Sequence, residues 1–273
     1  MSDFYNFSRR KFIQGMTCAC GTSLIFFSCA DVAISDRKQL KIFSDDYLYS
    51  KVFPAYENFK LNTKLVTNTN ESRKIVDIGN NIRKAINVYY LNNDQKNPTE
   101  NFQWEFILVD DIQTKNAWCM PGGKIAFYTG LLPIAKNDDG IASIMGHEIA
   151  HAVARHSAER MSTAMLIDAG TYALERFVLG QRLPSFSKQL RTYGLDLPFN
   201  RNQELEADYL GIIFSSLAGY NIEESYKVWE RMQKESGTSP SEFFSTHPSP
   251  INRIKKLQEW IPRVRSQYPS VRI

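Results

Sequence analysis

The segment HEIAHAVARH, residues 147–156, holds three of the four histidines in the chain, and no other stretch constrains the fold as tightly. In a helix each residue turns the chain by about 100°, so His147 and His151 lie about 40° apart, with Glu148 beside them. Two imidazoles on adjacent turns can share one metal ion. On the same count His156 stands about 180° from His147, which makes it a packing or supporting residue and a poor ligand for that ion.

The flanks set the context. Asn137, Asp138 and Asp139 supply helix-start caps, and Ile141, Ile144, Met145, Ile149 and Val153 then spread over most of the circumference. A helix apolar on most sides is buried, and polar groups in a core cost free energy unless partnered. A metal ion is the economical partner. H-E-x-x-H on a helix is the zinc-peptidase motif, with two His ligands and Glu as general base toward a water on the metal.

Catalytic zinc takes three protein ligands and leaves one position open. A metzincin would place its third histidine six residues after the second, but His156 is only five residues on. The segment QELEADYLGIIFSSLAGY, residues 203–220, reads as a helix ending at Gly219. Glu204 and Asp208 share one face, with Gly211 and Ser215 close to it and Glu206 directed away. Small residues let another helix approach, so Glu204 is the candidate third ligand. Asp208, one turn on, would orient a ligand histidine or stabilise the developing oxyanion or leaving group.

Elsewhere residues 45–91 read as helical with a polar break at TNTNES, and FQWEFILVDD and KIAFYTGLL read as strands, with a turn at Pro121-Gly122-Gly123. Residues 161–180 read as an apolar helix, 181–200 as an irregular loop, and 222–235 and 251–262 as later helices. Cys119 reads as a small strand or core residue. The expected fold is therefore α+β and mainly helical, with a small sheet beside the HExxH helix.

The N-terminus reads as an address. SRRKFIQ, residues 8–14, resembles a twin-arginine export signal, and an uncharged stretch from Phe12 to Ala30 follows. FFSC, residues 26–29, resembles a lipobox, which makes Cys29 a candidate lipidation site. Residues 1–30 are thus expected to be a signal or lipoprotein anchor, and 31–273 a single zinc metallopeptidase domain with an N-terminal helical extension. The expected location is extracytoplasmic, on the periplasmic side of a bacterial cell, with the membrane as a partner through that anchor. A formal net charge of +4, half of it in the leader, leaves a near-balance that gives no reason to propose nucleic acid.

Taken with NAWCMPGGKIAFYTGLL before it and NRNQELEAD and STHPSPINRI after it, HEIAHAVARH resembles the zinc endopeptidase family that includes HtpX and the CAAX prenyl proteases, in particular its soluble periplasmic or lipoprotein branch. The resemblance runs from about residue 56 to about 262. It implies a gluzincin core, one zinc ion held by His147, His151 and Glu204, Glu148 polarising the water, and Asp208 as a further acidic catalytic residue. It also implies that an edge strand, expected to be KIAFYTG, pairs with an extended polypeptide substrate.

His247 stands alone in THPSP, where Pro248 and Pro250 stiffen a loop. Three roles are open to it: a hydrogen bond to the oxyanion, occupation of the open zinc position at rest, or packing against the final helix. The expected function is a zinc-dependent endopeptidase acting on misfolded or misassembled cell-envelope proteins. The alternatives are an assembly factor or chaperone that keeps the peptide-binding fold but rarely cuts, and a structural zinc domain. The latter would have a closed site without a general base, and Glu148 argues against it.

Overall fold

The computed structural model describes residues 28–32, 34–35, 37–164, 199–236, 242–247 and 252–271. The SRRKFIQ signal, most of the 161–180 helix, nearly all of the 181–200 loop, and Pro248 and Pro250 lie outside the described residues. So do Phe26 and Phe27 of the lipobox, whose Ser28 and Cys29 enter only as backbone of a strand.

Two strands, β1 (Ser28–Asp31) and β2 (Lys38–Lys41), form an antiparallel hairpin near the N-terminus. Helices α1 (Asp45–Leu61) and α2 (Asn70–Asn92) follow, separated by the two-residue strand β3 (Leu65–Val66). The polar break seen in the sequence is the start of α2. Its Thr69 cap and Ser72 satisfy each other's backbone N–H groups in a capping box.

The second sheet has the order β3-β4-β6-β5, with β4 (Glu105–Val109), β5 (Ala117–Met120) and β6 (Lys124–Tyr128). β4 and β6 run parallel and the other pairs antiparallel. Pro121-Gly122-Gly123 makes the β5–β6 turn, with φ of 86° and 82° at the two glycines, a region that L side chains avoid. This order corrects the expectation for KIAFYTG. The strand Lys124–Tyr128 is interior, and the edge strand beside it is β5, in NAWCM, which the alternation pattern does not pick out in so short a run. The TGLL that follows turns into a 3-10 turn and the short helix α3 (Leu132–Ala135).

Helix α4 (Asp138–Val153) begins at Asn137, whose side chain accepts from the Gly140 N–H. Helix α5 (Arg201–Leu217) begins at Asn200, in a capping box with Gln203. Both are buried along most of their length, and they cross where a Cβ on Gly211 would lie 2.9 Å from the His147 nitrogen. Ser215 Oγ donates to the Ala142 carbonyl at 3.1 Å beside that crossing. The small-residue face of α5 thus meets α4, as the sequence led us to expect. Helices α6 (Glu224–Ser236), α7 (Glu242–Thr246) and α8 (Arg253–Gln267) close the core. α2, the sheet, α4, α5 and α8 share one apolar cluster that includes Ile82, Phe127, Met145, Phe214 and Val264. The result is mostly helical with a small mixed sheet, the expected class.

Candidate metal centre

His147, His151 and Glu148 project from α4, Glu204 and Asp208 from α5, and His247 follows directly on α7; all six are buried. Each of His147, His151, Glu204 and His247 offers one ligand atom, and the four atoms lie within 4.8 Å of one another. His147 Nε2 is 3.1 Å from His151 Nε2, which is 3.4 Å from Glu204 Oε1. His247 Nδ1 is 3.1 Å from Glu204 Oε1 and 3.4 Å from His147 Nε2.

The donor set fits a cation. Burial pushes the pKa of both α4 imidazoles well below the ordinary histidine value, with Arg253 adding to the effect at His147. The rings are therefore neutral, as metal ligation requires. Each has its outer nitrogen engaged: His147 Nδ1 is 3.0 Å from Asp208 Oδ1, and His151 Nδ1 is 2.8 Å from His156 Nδ1. Their Nε2 atoms face each other at 3.1 Å, and Arg253 Nη2 lies 3.2 Å from that of His147. Burial would raise the Glu204 carboxyl, but the charges of His247 and Arg253, with a hydrogen bond from His247, hold it well below the usual range. Two imidazole lone pairs and an ionised carboxylate converging in a core are a ligand set for a divalent ion.

Glu148 points at His247, with Oε1 3.5 Å from its Nε2, and its carboxylate accepts from the Cys119 backbone N–H on β5. Burial raises its pKa to about 7, although His247 opposes the shift. A carboxyl poised near neutrality suits a general base. The edge strand of the sheet is thereby joined to the HExxH helix.

Two features escaped the sequence reading. The first is Arg253, fully buried, which makes a two-pronged pair with Asp208 through Nε and Nη2, the latter at 2.7 Å. It also sets Nη1 2.9 Å from Glu204 Oε2 and stacks on Trp229. Arg253 stands inside the quoted STHPSPINRI, but hydropathy gives no signal for a buried arginine. The second is a break in the helix. α4 stops at Val153, Arg155 adopts a left-handed φ of 57°, and residues 156–164 form a new helical run. The 180° phase of His156 held only for an unbroken helix. The break folds His156 back against His151. Glu206 is directed away from the cluster, as its phase required, and accepts from His156 Nε2 at 3.0 Å. Burial lowers the His156 pKa against the pull of Glu206, which itself sits below the usual carboxylate range because hydrogen bonds from His156 and Ser35 outweigh its burial.

The profile of peptidase family M48 matches residues 81–261. The chain belongs to peptidase family M48. Within that family it is 31% identical to the mitochondrial metalloendopeptidase OMA1 of Saccharomyces cerevisiae, over 96% of this chain and 77% of that protein. It is 39% identical to OMA1 of Schizosaccharomyces pombe over 60% of this chain, a match that spans about half, 48%, of the relative. A putative beta-barrel assembly-enhancing protease of Vibrio cholerae is 28% identical over 66% of this chain and 37% of its own length.

M48 membership bears out the expected class, a metalloendopeptidase, and with it a metal. The expected location is corrected. Relatives from two yeasts and from Arabidopsis thaliana are mitochondrial by name, which overturns the bacterial periplasmic lipoprotein. An arginine-rich leader poor in acidic residues is common to export signals and mitochondrial presequences, so the leader alone did not discriminate. Among the described residues no helix is long and apolar enough to cross a membrane. Nor do these M48 relatives carry the HtpX-like branch expected from the motifs.

Proposed function

We propose that the protein is a zinc-dependent endopeptidase in which His147, His151 and Glu204 hold one zinc ion and Glu148 is the general base. The observation that carries the reading is the pair of α4 imidazoles whose Nδ1 atoms are both engaged outward while their Nε2 atoms converge on Glu204. When bound there, zinc supplies Lewis-acid activation of water and stabilisation of the oxyanion.

The chain's own groups do the rest. Glu148 accepts the proton of the attacking water and passes it to the leaving amine. Asp208 acts through His147, whose Nδ1 it faces at 3.0 Å, and Arg253 fixes Asp208 in turn. An extended polypeptide pairs with the outer edge of β5, next to the Cys119 N–H that already touches Glu148. His247 occupies the open ligand position at rest, a role supported by its place among the four converging ligand atoms. Its ring also stacks on Phe243, so it has a packed seat from which to swing.

The substrates we assign are exposed segments of misfolded or misassembled proteins. One relative, the Vibrio cholerae protein, is named for beta-barrel assembly. The test incubates the purified chain with folded and unfolded polypeptides, with and without a chelator, and restores zinc afterwards. Cleavage of the unfolded polypeptide that vanishes with chelation and returns with zinc is expected. Zinc-loaded protein that binds the polypeptide without cutting it would replace the peptidase by the chaperone reading.

A further inference from the structure

A metal-ligating histidine is held by whatever its other ring nitrogen binds, and that partner sets its tautomer and its basicity. For His147 the partner is the carboxylate Asp208. For His151 it is a second imidazole, and the contacts continue outward from it to the N-terminal hairpin. His151 Nδ1 meets His156 Nδ1 at 2.8 Å, His156 Nε2 meets Glu206 Oε2 at 3.0 Å, and Glu206 accepts from Arg37 Nε at 2.7 Å and from the Ser35 hydroxyl.

Only one arrangement of protons suits this chain of contacts. His151 Nε2 faces the ligand cluster and must present a lone pair there, so its proton is on Nδ1. His156 Nδ1 therefore accepts. The His156 proton is then on Nε2, where it is donated to the Glu206 carboxylate, an acceptor only. A partly buried carboxylate at the end of the line polarises both rings and makes His151 the better ligand.

The outer anchor comes from another part of the chain. Ser35 and Arg37 lie between β1 and β2, and Arg37 also grips Glu159 with Nη1 and Nη2 at 2.7 and 2.9 Å. Gln203 of α5 donates to the same Glu159 at 2.9 Å. The hairpin is thus fastened to the helical run that carries His156 and to the helix that carries Glu204. Arg37 remains about a third exposed, so the outer end of this chain of contacts is open to solvent.

We infer that His156 is the positioning residue of His151, and that the N-terminal hairpin, through Arg37 and Glu206, controls how tightly the site holds its metal. The inference rests on His151 being a ligand. Detaching the hairpin loosens Glu206, frees the His156 ring and lowers metal affinity without touching a ligand.

The test measures zinc affinity of the full chain by competition with a chromogenic chelator, and the tautomers of the zinc-loaded protein by nitrogen-15 NMR of its histidines. His156→Leu and Glu206→Ala should weaken zinc binding about 10–100-fold. Arg37→Gln should weaken it several-fold, and His156→Asn, whose amide oxygen can replace the accepting nitrogen, should recover most of the loss. The spectra should show the proton on Nδ1 of His151 and on Nε2 of His156. Parental affinity in Glu206→Ala and Arg37→Gln would overturn the inference even if His156→Leu failed to fold, as would a proton on His156 Nδ1. His151→Ala separates the two levels. If it keeps zinc, the ligand reading itself falls; if it loses zinc while the outer variants bind like the parent, only the relay falls.

Discussion

Asp208 Oδ1 lies 3.0 Å from His147 Nδ1, and both groups are buried. The contact is made through Nδ1, while Nε2 of the same ring faces His151, and on the proposed reading Asp208 acts through His147. Burial raises its carboxyl to about 6 against the opposing charge of Arg253. Asp208→Asn should weaken zinc binding about 10–100-fold. It should also destabilise the fold by about 1–3 kcal/mol, because Arg253 loses its two-pronged charged partner and keeps only Glu204. Chelator competition and denaturant unfolding measure the two effects. Lost turnover with parental zinc affinity would instead put Asp208 in direct contact with the reaction.

Glu148→Gln should keep zinc and lose nearly all proteolysis, because the ligand set is intact and only the base is gone. Metal content by elemental analysis and cleavage of an unfolded polypeptide should part company. A variant that still cuts at the parental rate would refute the role assigned to Glu148.

The same residue predicts a pH dependence of the metal-free protein. Burial raises the Glu148 pKa from 4.5 to about 7, so the folded chain holds that proton more tightly than the unfolded chain. Its contribution to stability is fully present below about pH 4.5 and is lost as pH rises through about 7. Glu148→Gln is neutral throughout and lacks this loss. After chelation the variant should match the parent near pH 4.5 and exceed it at pH 8 by on the order of 3 kcal/mol. Unfolding curves whose parent–variant gap is the same at both pH values would argue against a buried, raised Glu148.

His247→Ala tests the resting position. Removing a ring that stands 3.1 Å from Glu204 and 3.5 Å from Glu148 should open the site, giving faster or less discriminate cleavage, including self-cleavage. A large fall in turnover with zinc retained would point to oxyanion support. Unchanged turnover, zinc affinity and self-cleavage with lower thermal stability would leave His247 a packing residue.

Gly211→Ala probes the helix crossing. The added Cβ would lie 2.9 Å from the His147 nitrogen and 3.0 Å from its Cα, backbone atoms that can move only with their helix. Overpacking of this kind costs about 1–3 kcal/mol. Because the displaced residue is His147 itself, zinc affinity should fall along with thermal stability. Parental affinity in a stably folded variant would mean that the crossing tolerates the shift.

The sequence by itself determined what lies within single elements. Helical phase put His147 and His151 on one face, kept Glu206 off the face that carries Glu204 and Asp208, and exposed the stripe of Gly211 and Ser215 through which α4 and α5 approach. Side-chain chemistry put caps at Asn137 and a turn at Pro121-Gly122-Gly123. These are local properties, fixed by a few neighbouring residues.

Only the tertiary structure decided the rest. It brought His247 across 100 residues of chain to His147, and Arg253 across 45 to Asp208. It placed β6 between β4 and β5, so that the edge position fell to Ala117–Met120 rather than to Lys124–Tyr128. At Arg155 it broke a helix that periodicity alone would have continued, and His156 turned back toward His151. Periodicity gives the direction of a side chain from its own axis. Where that axis ends, and what packs against it, depends on contacts with residues far away in the chain.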